Sequence, residues 1–221
     1  MFESKAEDEI ILCLNYDGLY GINNVNRFLQ SSNSNPAITW HVSTYKVGDP
    51  VLFNETERFG PVIYNNLKGR IIAIKEDDGH ITFDVELDRP LSAFDVGGDL
   101  EYVEGSTVRF SVYDYDASDA DDDSARSAVP FQIAYAISIH KAQGLEYDSV
   151  KIVITDANEE DITHGIFYTA VTRARQNLRI FWTPETQQAV LSGLKRSSNS
   201  KDVSLLCSRR GLTQARRSTH P

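Results

Sequence analysis

Residues 134 to 154 read AYAISIHKAQGLEYDSVKIVI, in which two apolar runs enclose a polar loop. Gln132 to Ile139 (QIAYAISI) and Ser149 to Ile154 (SVKIVI) are short and continuously apolar, which suits strands buried on both faces of a parallel sheet. The spacing therefore predicts strand, loop, strand, with the loop after Ile139 at the C-terminal edge of the sheet, where such folds bind ligands. Ser138, His140, Lys141, Gln143 and Glu146 surround Gly144 in that loop. Backbone amides and short polar side chains in such a place can meet phosphates or a sugar hydroxyl.

The same pattern extends outward on both sides. Glu9 to Leu14 (EIILCL) predicts another doubly buried strand, and after Gly18 and Gly21 the residues Ile22, Val25, Phe28 and Leu29 recur at helical spacing. Downstream, a helix is expected over residues 161 to 176, a short strand over Arg179 to Trp182, and a helix from Thr183-Pro184 to about Lys195. The polar tail after Ser197 is expected to be mostly disordered. Between these parts the style changes. Lys46 to Asn54 and Gly69 to Lys75 are short strand patterns, Asp78-Gly79 is a hairpin signal, and Ile81, Phe83, Val85 and Leu87 alternate with polar residues. Asp114 to Arg126 is acidic and turn-rich, a solvated loop closing the module. The layout is an α/β domain interrupted by a small antiparallel β module.

Charge sharpens this division. The 221 residues carry 22 Lys and Arg against 32 Asp and Glu, a formal −10 that argues against a polyanionic partner. From Glu76 to Asp123, however, 16 acidic residues face two basic ones, or 2 − 16 = −14, leaving 20 − 16 = +4 on the rest of the chain. The acidity belongs to the module, whose acidic face turns away from nucleic acid or meets a protein partner. The two cysteines, Cys13 and Cys207, stand far apart without histidine company, so neither a disulfide framework nor a metal site is expected. No apolar run reaches the ~20 residues of a membrane span and no signal peptide opens the chain, so a cytoplasmic protein is expected.

A second polar concentration lies at Phe167 to Arg175 (FYTAVTRAR). On a helix, Arg173 falls at the edge of the apolar stripe formed by Ile166, Phe167, Ala170, Val171 and Ala174. Arg175 lies about 200° further round and is expected to be solvated.

These segments resemble known motifs. AYAISIHKAQGLEYDSVKIVI is similar to motif V of superfamily 1 helicases and FYTAVTRARQNLRIFW to their motif VI. GLYGINNVNRFLQ and KVGDPVLFNETERFGPVIYNNLKGRIIAI bring the resemblance closest to the RecD-like, 5′ to 3′ branch, in which an SH3-like barrel interrupts the second RecA-like domain. The resemblance implies an α/β fold: a RecA-like parallel-sheet domain over 1–45 and 129–196, an SH3-like insertion with its acidic loop over 46–128, and a basic tail over 197–221. It implies that Arg173 is the arginine finger, that Gly144 and Glu146 approach the nucleotide, and that Ser138, His140 and Lys141 touch single-stranded DNA. Gln143 sits between the two sets and is counted with the nucleotide-binding residues. ATP with Mg²⁺ is the implied cofactor, shared with an N-terminal RecA-like domain as partner.

Two departures accompany the resemblance. Asp17 stands before Gly18, where the family usually carries a basic residue. No Gly-Lys dipeptide occurs anywhere, so the P-loop G-x-x-x-x-G-K-[ST] is absent and this chain alone is expected to be inactive. The competing reading is a stand-alone protein-binding or DNA-binding module derived from a helicase domain.

Overall fold

The computed structural model describes residues 8–54, 57–114, 124–155 and 162–194. In chain order the first half contains β1 (Glu9–Cys13), α1 (Ile22–Ser31), β2 (Ala37–Trp40), β3 (Ser43–Lys46), β4 (Pro50–Phe53), β5 (Lys68–Asp77) and β6 (His80–Leu87). There follow β7 (Glu101–Glu104), β8 (Thr107–Tyr113), the short α2 (Ser124–Ser127), β9 (Phe131–Ile133) and β10 (Ala136–Ser138). The chain then forms β11 (Tyr147–Val153), α3 (His164–Val171), β12 (Ala174–Phe181) and α4 (Pro184–Gly193).

β10, β1, β11 and β12, in that order, make a parallel four-stranded sheet. β1 is central, which explains its unbroken apolar run: Ile10 and Leu12 enter the core on one face, Ile11 and Cys13 the core on the other. α1 covers the second face with Ile22, Val25 and Leu29. Its N-cap is Gly21, where an added Cβ would collide with the Asp17 carbonyl. Asn26 on α1 donates to the Ala136 carbonyl at 2.9 Å and accepts from the Ala136 amide at 2.8 Å. That clamp satisfies the outer side of edge strand β10, which would otherwise offer unpaired backbone groups.

The antiparallel part is a six-stranded sheet in the order β7-β8-β6-β5-β4-β9, with the β2-β3 hairpin alongside. β6 alternates as its sequence predicts, with Ile81, Phe83, Val85 and Leu87 buried. Phe83, Phe110, Phe131 and Phe53 pack largely edge-on at ring separations of 5.1 to 6.2 Å, an arrangement aromatic quadrupoles favour.

The junction between the two parts differs from expectation. Residues 132 to 139 do not form one strand: β9 pairs antiparallel with β4, and only three residues further on β10 pairs parallel with β1. At the crossing, the Ala134 amide donates to the Pro50 carbonyl while the Ile11 amide donates to the Tyr135 carbonyl. Trp40 and Tyr45 of the hairpin also lie in the antiparallel core. The antiparallel strands thus run from β2 at Ala37 to β9 at Ile133.

Asp49 is fully buried at this junction. It accepts from Gln30 Nε2 at 2.5 Å, Asn33 Nδ2 at 2.9 Å, the Lys46 amide at 2.9 Å and the Tyr135 hydroxyl at 2.8 Å. One carboxylate thus ties the end of α1, the hairpin and the crossing point together, its desolvation offset by four donors.

The expected helix over 161 to 176 is shorter. α3 is capped by Thr163, whose side chain accepts from the Ile166 amide, and it ends at Val171. Thr172 bonds back to the Tyr168 carbonyl at 2.8 Å, and from Ala174 the chain pairs with β11 instead. The acidic stretch 115–123 and the tail 197–221 lie outside the described residues.

Candidate nucleotide and nucleic-acid site

The segment between β10 and β11 is a crossover. Ser138 is level with Cys13, whereas Ser149 is level with Glu9, so Tyr147 begins two positions below Glu9. Residues 139 to 146 therefore run back along the sheet by roughly 20 Å, six strand positions at ~3.3 Å each. Ala142 is buried and Leu145 packs on the same core. The expectation that the whole loop sits at the C-terminal edge is corrected: it starts there and finishes at the N-terminal edge, because β11 starts so far below the end of β10. Successive turns carry it, with Ala142 bonded to Ser138 and Leu145 to Ala142 through the backbone. Gly144 adopts φ +86° with open space where a Cβ would be. Glycine is needed there for its backbone angle rather than for room.

The crossover separates the candidate residues into two groups. At the C-terminal edge, Ser138 is buried and its Oγ accepts from the Lys141 amide at 3.1 Å, so its hydroxyl caps the first turn. His140 is exposed. Lys141 Nζ donates to Gln132 Oε1 at 2.6 Å and to Asn54 Oδ1 at 3.3 Å.

At the N-terminal edge, Arg173 meets the far end of the crossover. Its Nη1 donates to the Leu145 carbonyl and its Nε to the Thr169 carbonyl, both at 2.9 Å, while Nη2 donates to Thr172 Oγ1 at 3.0 Å. The Tyr147 amide donates to the Arg173 carbonyl at 2.9 Å, so the crossover and the segment after α3 are joined through both side chain and backbone. All three guanidinium nitrogens are held by neutral oxygens, which fix the group without cancelling its charge. Glu146 is exposed beside it, and Gln143 is exposed on the way between the groups.

Arg175, expected to be solvated, is half-exposed and tied to Glu146 at 3.3 Å, Asp8 at 3.5 Å and Asp148 at 3.6 Å. The Glu146 hydrogen bond, followed by the charge of Asp8, raises its pKa. A cleft of about 390 Å³ opens between this network and β5, lined by Asp8, Lys68, Arg70, Glu86, Asp88 and Arg175. Lys68 pairs with Asp8 and Asp88, each at 2.9 Å, and lies 4.7 Å over the Tyr147 ring. Burial, then Asp8 and Asp88, raises the Tyr147 pKa. Sequence reasoning missed Asp8 and Lys68, because their roles arise from contacts 60 residues apart along the chain. Among the described residues there is no group of three or more His, Cys, Asp or Glu placed to hold a metal ion. No described helix is long and apolar enough to cross a membrane.

This geometry, two joined segments on a parallel sheet, has counterparts. Residues 133–181 match the UvrD-like helicase C-terminal domain family. Among curated proteins, the RecD subunit of the RecBCD enzyme of Buchnera aphidicola subsp. Schizaphis graminum is 34% identical over 55 residues, covering 25% of this chain and 9% of that protein. The RecD subunit of Buchnera aphidicola subsp. Acyrthosiphon pisum is 23% identical over 181 residues, 77% of this chain and 24% of that protein. Among solved structures, the Pif1 helicase from Bacteroides in complex with ADP-AlF3 and ssDNA superposes over 96% of this chain and 48% of its own, with TM-score 0.52 and 15% identity. The Pif1 helicase from Candida albicans covers 90% and 50%, with TM-score 0.51 and 15% identity. These structures share the fold. The chain spans a quarter or less of these curated relatives and about half of the structural ones.

Proposed function

We propose that this chain is the C-terminal motor domain of an ATP-dependent superfamily 1 DNA helicase, with residues 37–133 forming an SH3-like insertion in its second RecA-like domain. Arg173 is the arginine finger, Gly144 and Glu146 approach the nucleotide with Gln143 behind them, and His140 and Lys141 face single-stranded DNA. Ser138 shapes that face from below. The observation that carries the reading is the separation of the two groups to opposite edges of one sheet, joined by a single crossover. A change at one edge can then be passed to the other along eight residues of chain.

The residues present fit a nucleotide phosphate. Arg173 carries a charge that no described carboxylate neutralises, at the end of the crossover that also presents the open backbone of Gly144. Mg²⁺ would be held mainly by the P-loop-bearing domain, since this chain has no P-loop hydroxyl to offer. ATP bound there supplies the phosphoanhydride whose cleavage drives movement. Arg173 would stabilise the charge that develops on the transferred phosphoryl group. Glu146, now paired with Arg175, would have to exchange that partner for the nucleotide.

The test is turnover in a protein that combines this chain with a P-loop-bearing RecA-like domain. Arg173→Ala should lower DNA-stimulated ATP hydrolysis by ~10³-fold or more with nucleotide binding retained. Turnover equal to wild type removes the assignment.

A further inference from the structure

The two side chains that hold Lys141 come from the antiparallel part. Gln132 lies on β9 and Asn54 directly follows β4, and these two strands are paired with each other. Both acceptors are amide oxygens. Lys68, Lys151, Arg58, Arg109, Arg126 and Arg175 each meet a carboxylate, whereas Lys46 and Arg173, like Lys141, are held by neutral oxygens, and Lys141 differs from these two in that both of its acceptors are side-chain amides of the antiparallel part. Lys141 is oriented by dipoles, with no described carboxylate paired to it.

We propose that Gln132 and Asn54 are positioning residues that aim the Lys141 ammonium at a phosphate of single-stranded DNA; the inference rests on the reading of Lys141 as a DNA contact. A lysine side chain has many rotamers, and fixing it on a phosphate costs conformational entropy. A side chain already held in place loses less on binding, so the same contact yields more affinity. A carboxylate at position 132 would hold the ammonium equally well but cancel its field at the phosphate. Two neutral acceptors achieve the first without the second. The insertion thereby contributes to DNA binding without touching the strand at these two residues.

The experiment measures binding of a fluorescent oligothymidylate to the complete 221-residue chain by anisotropy over a series of NaCl concentrations. Lys141→Ala should weaken binding and reduce the slope of log K against log salt by about 0.7, the value of one phosphate contact on a single strand. Gln132→Leu should weaken binding by roughly fivefold with the wild-type slope, because the charge is kept and only its placement is lost. Gln132→Glu should weaken binding at least as much and also reduce the slope as Lys141→Ala does. A purely structural role for Gln132 would not move the slope in that variant. Asn54→Ala, at an exposed position, supplies a second test that does not endanger folding, with about twofold weaker binding and an unchanged slope. If Lys141→Ala weakens binding but Gln132→Leu and Asn54→Ala bind as wild type, the positioning role is overturned. If Lys141→Ala matches wild type in affinity and slope, or the wild-type chain binds no oligonucleotide, the DNA reading itself fails and takes the inference with it.

Discussion

The Tyr135 hydroxyl donates to Oδ1 of Asp49 at 2.8 Å, joining residues 86 positions apart at the point where the chain passes from the antiparallel sheet to the parallel one. Asp49 receives three further donors there, from Gln30, Asn33 and the Lys46 backbone. Removing the carboxylate deprives four part-buried donors of this acceptor, of which Gln30 and Asn33 keep a backbone carbonyl, that of Thr44 and of Val47. Hydrogen bonds to charged groups are worth about 1.5 to 3 kcal/mol each, and they are not additive within one network. Asp49→Ala is therefore expected to cost about 3 kcal/mol or more in urea unfolding, and Tyr135→Phe less than half of that. Equal losses for the two variants would mean that Tyr135 alone fastens the junction.

Alkali should loosen the same place. Burial, then the charge of Asp49, raises the Tyr135 pKa above its ordinary 10.0, and burial does the same for Tyr147. A phenol whose folded pKa is raised contributes stability that is fully present below the unfolded value and is lost as pH climbs through the folded one. The urea midpoint should accordingly hold up to about pH 9.5 and fall steeply above pH 10. In Tyr135→Phe the alkaline fall should be shallower, even though that variant starts less stable at neutral pH.

Cys13 supplies a probe of the sheet. It is buried between β1 and α1, and burial pushes its thiol pKa up to about 12. Only the thiolate attacks, so the native thiol is expected to be inert at pH 8. In a Cys207→Ser background, which leaves Cys13 as the sole thiol, a colorimetric disulfide reagent should register none in the native state and one in urea. Prompt reaction of the native protein would contradict the burial of this face.

Arg173 holds the end of the crossover through the Leu145 carbonyl. Arg173→Ala should loosen that end before it affects global stability. Losing one charge-assisted bond predicts at least tenfold faster amide exchange at residues 143 to 147. Arg173→Lys, which keeps the charge but cannot fork between Leu145, Thr169 and Thr172, should show the same loosening. Protection unchanged in both variants would show that the Tyr147 backbone bond alone anchors this end.

Much of the frame was legible because its signals are local. The unbroken run at residues 9 to 14 marked a strand buried on both faces, and the alternation at 81 to 87 marked one buried on a single face. Long-range pairing was not legible. QIAYAISI is apolar throughout, and nothing local says that Phe131 faces Phe53 while Ser138 faces Cys13. Ala174 to Asn177 has adequate helix propensity, but pairing with β11 outweighs a preference of a few tenths of a kcal/mol per residue. Among site residues, the helical stripe expected to carry Arg173 ends at Val171, and the bonds of Arg173 to Leu145 and Thr169 come from the turn that follows. The engagement of Arg175 with Asp8 and Glu146 depends on strand register, which sequence spacing does not carry.

β1 lies between β10 and β11, so its two neighbours are synthesised more than 120 residues after it. On the ribosome, the most apolar strand of the parallel sheet emerges first and waits, with both edges unpaired, while the antiparallel part is made. That part has mostly sequence-adjacent partners, as in β5 with β6 and β2 with β3, and can close early. Leu52, whose strand belongs to the antiparallel sheet, already reaches into the core that β1 will share. Through Leu52 the antiparallel sheet thus offers β1 an apolar contact that does not depend on β10 or β11.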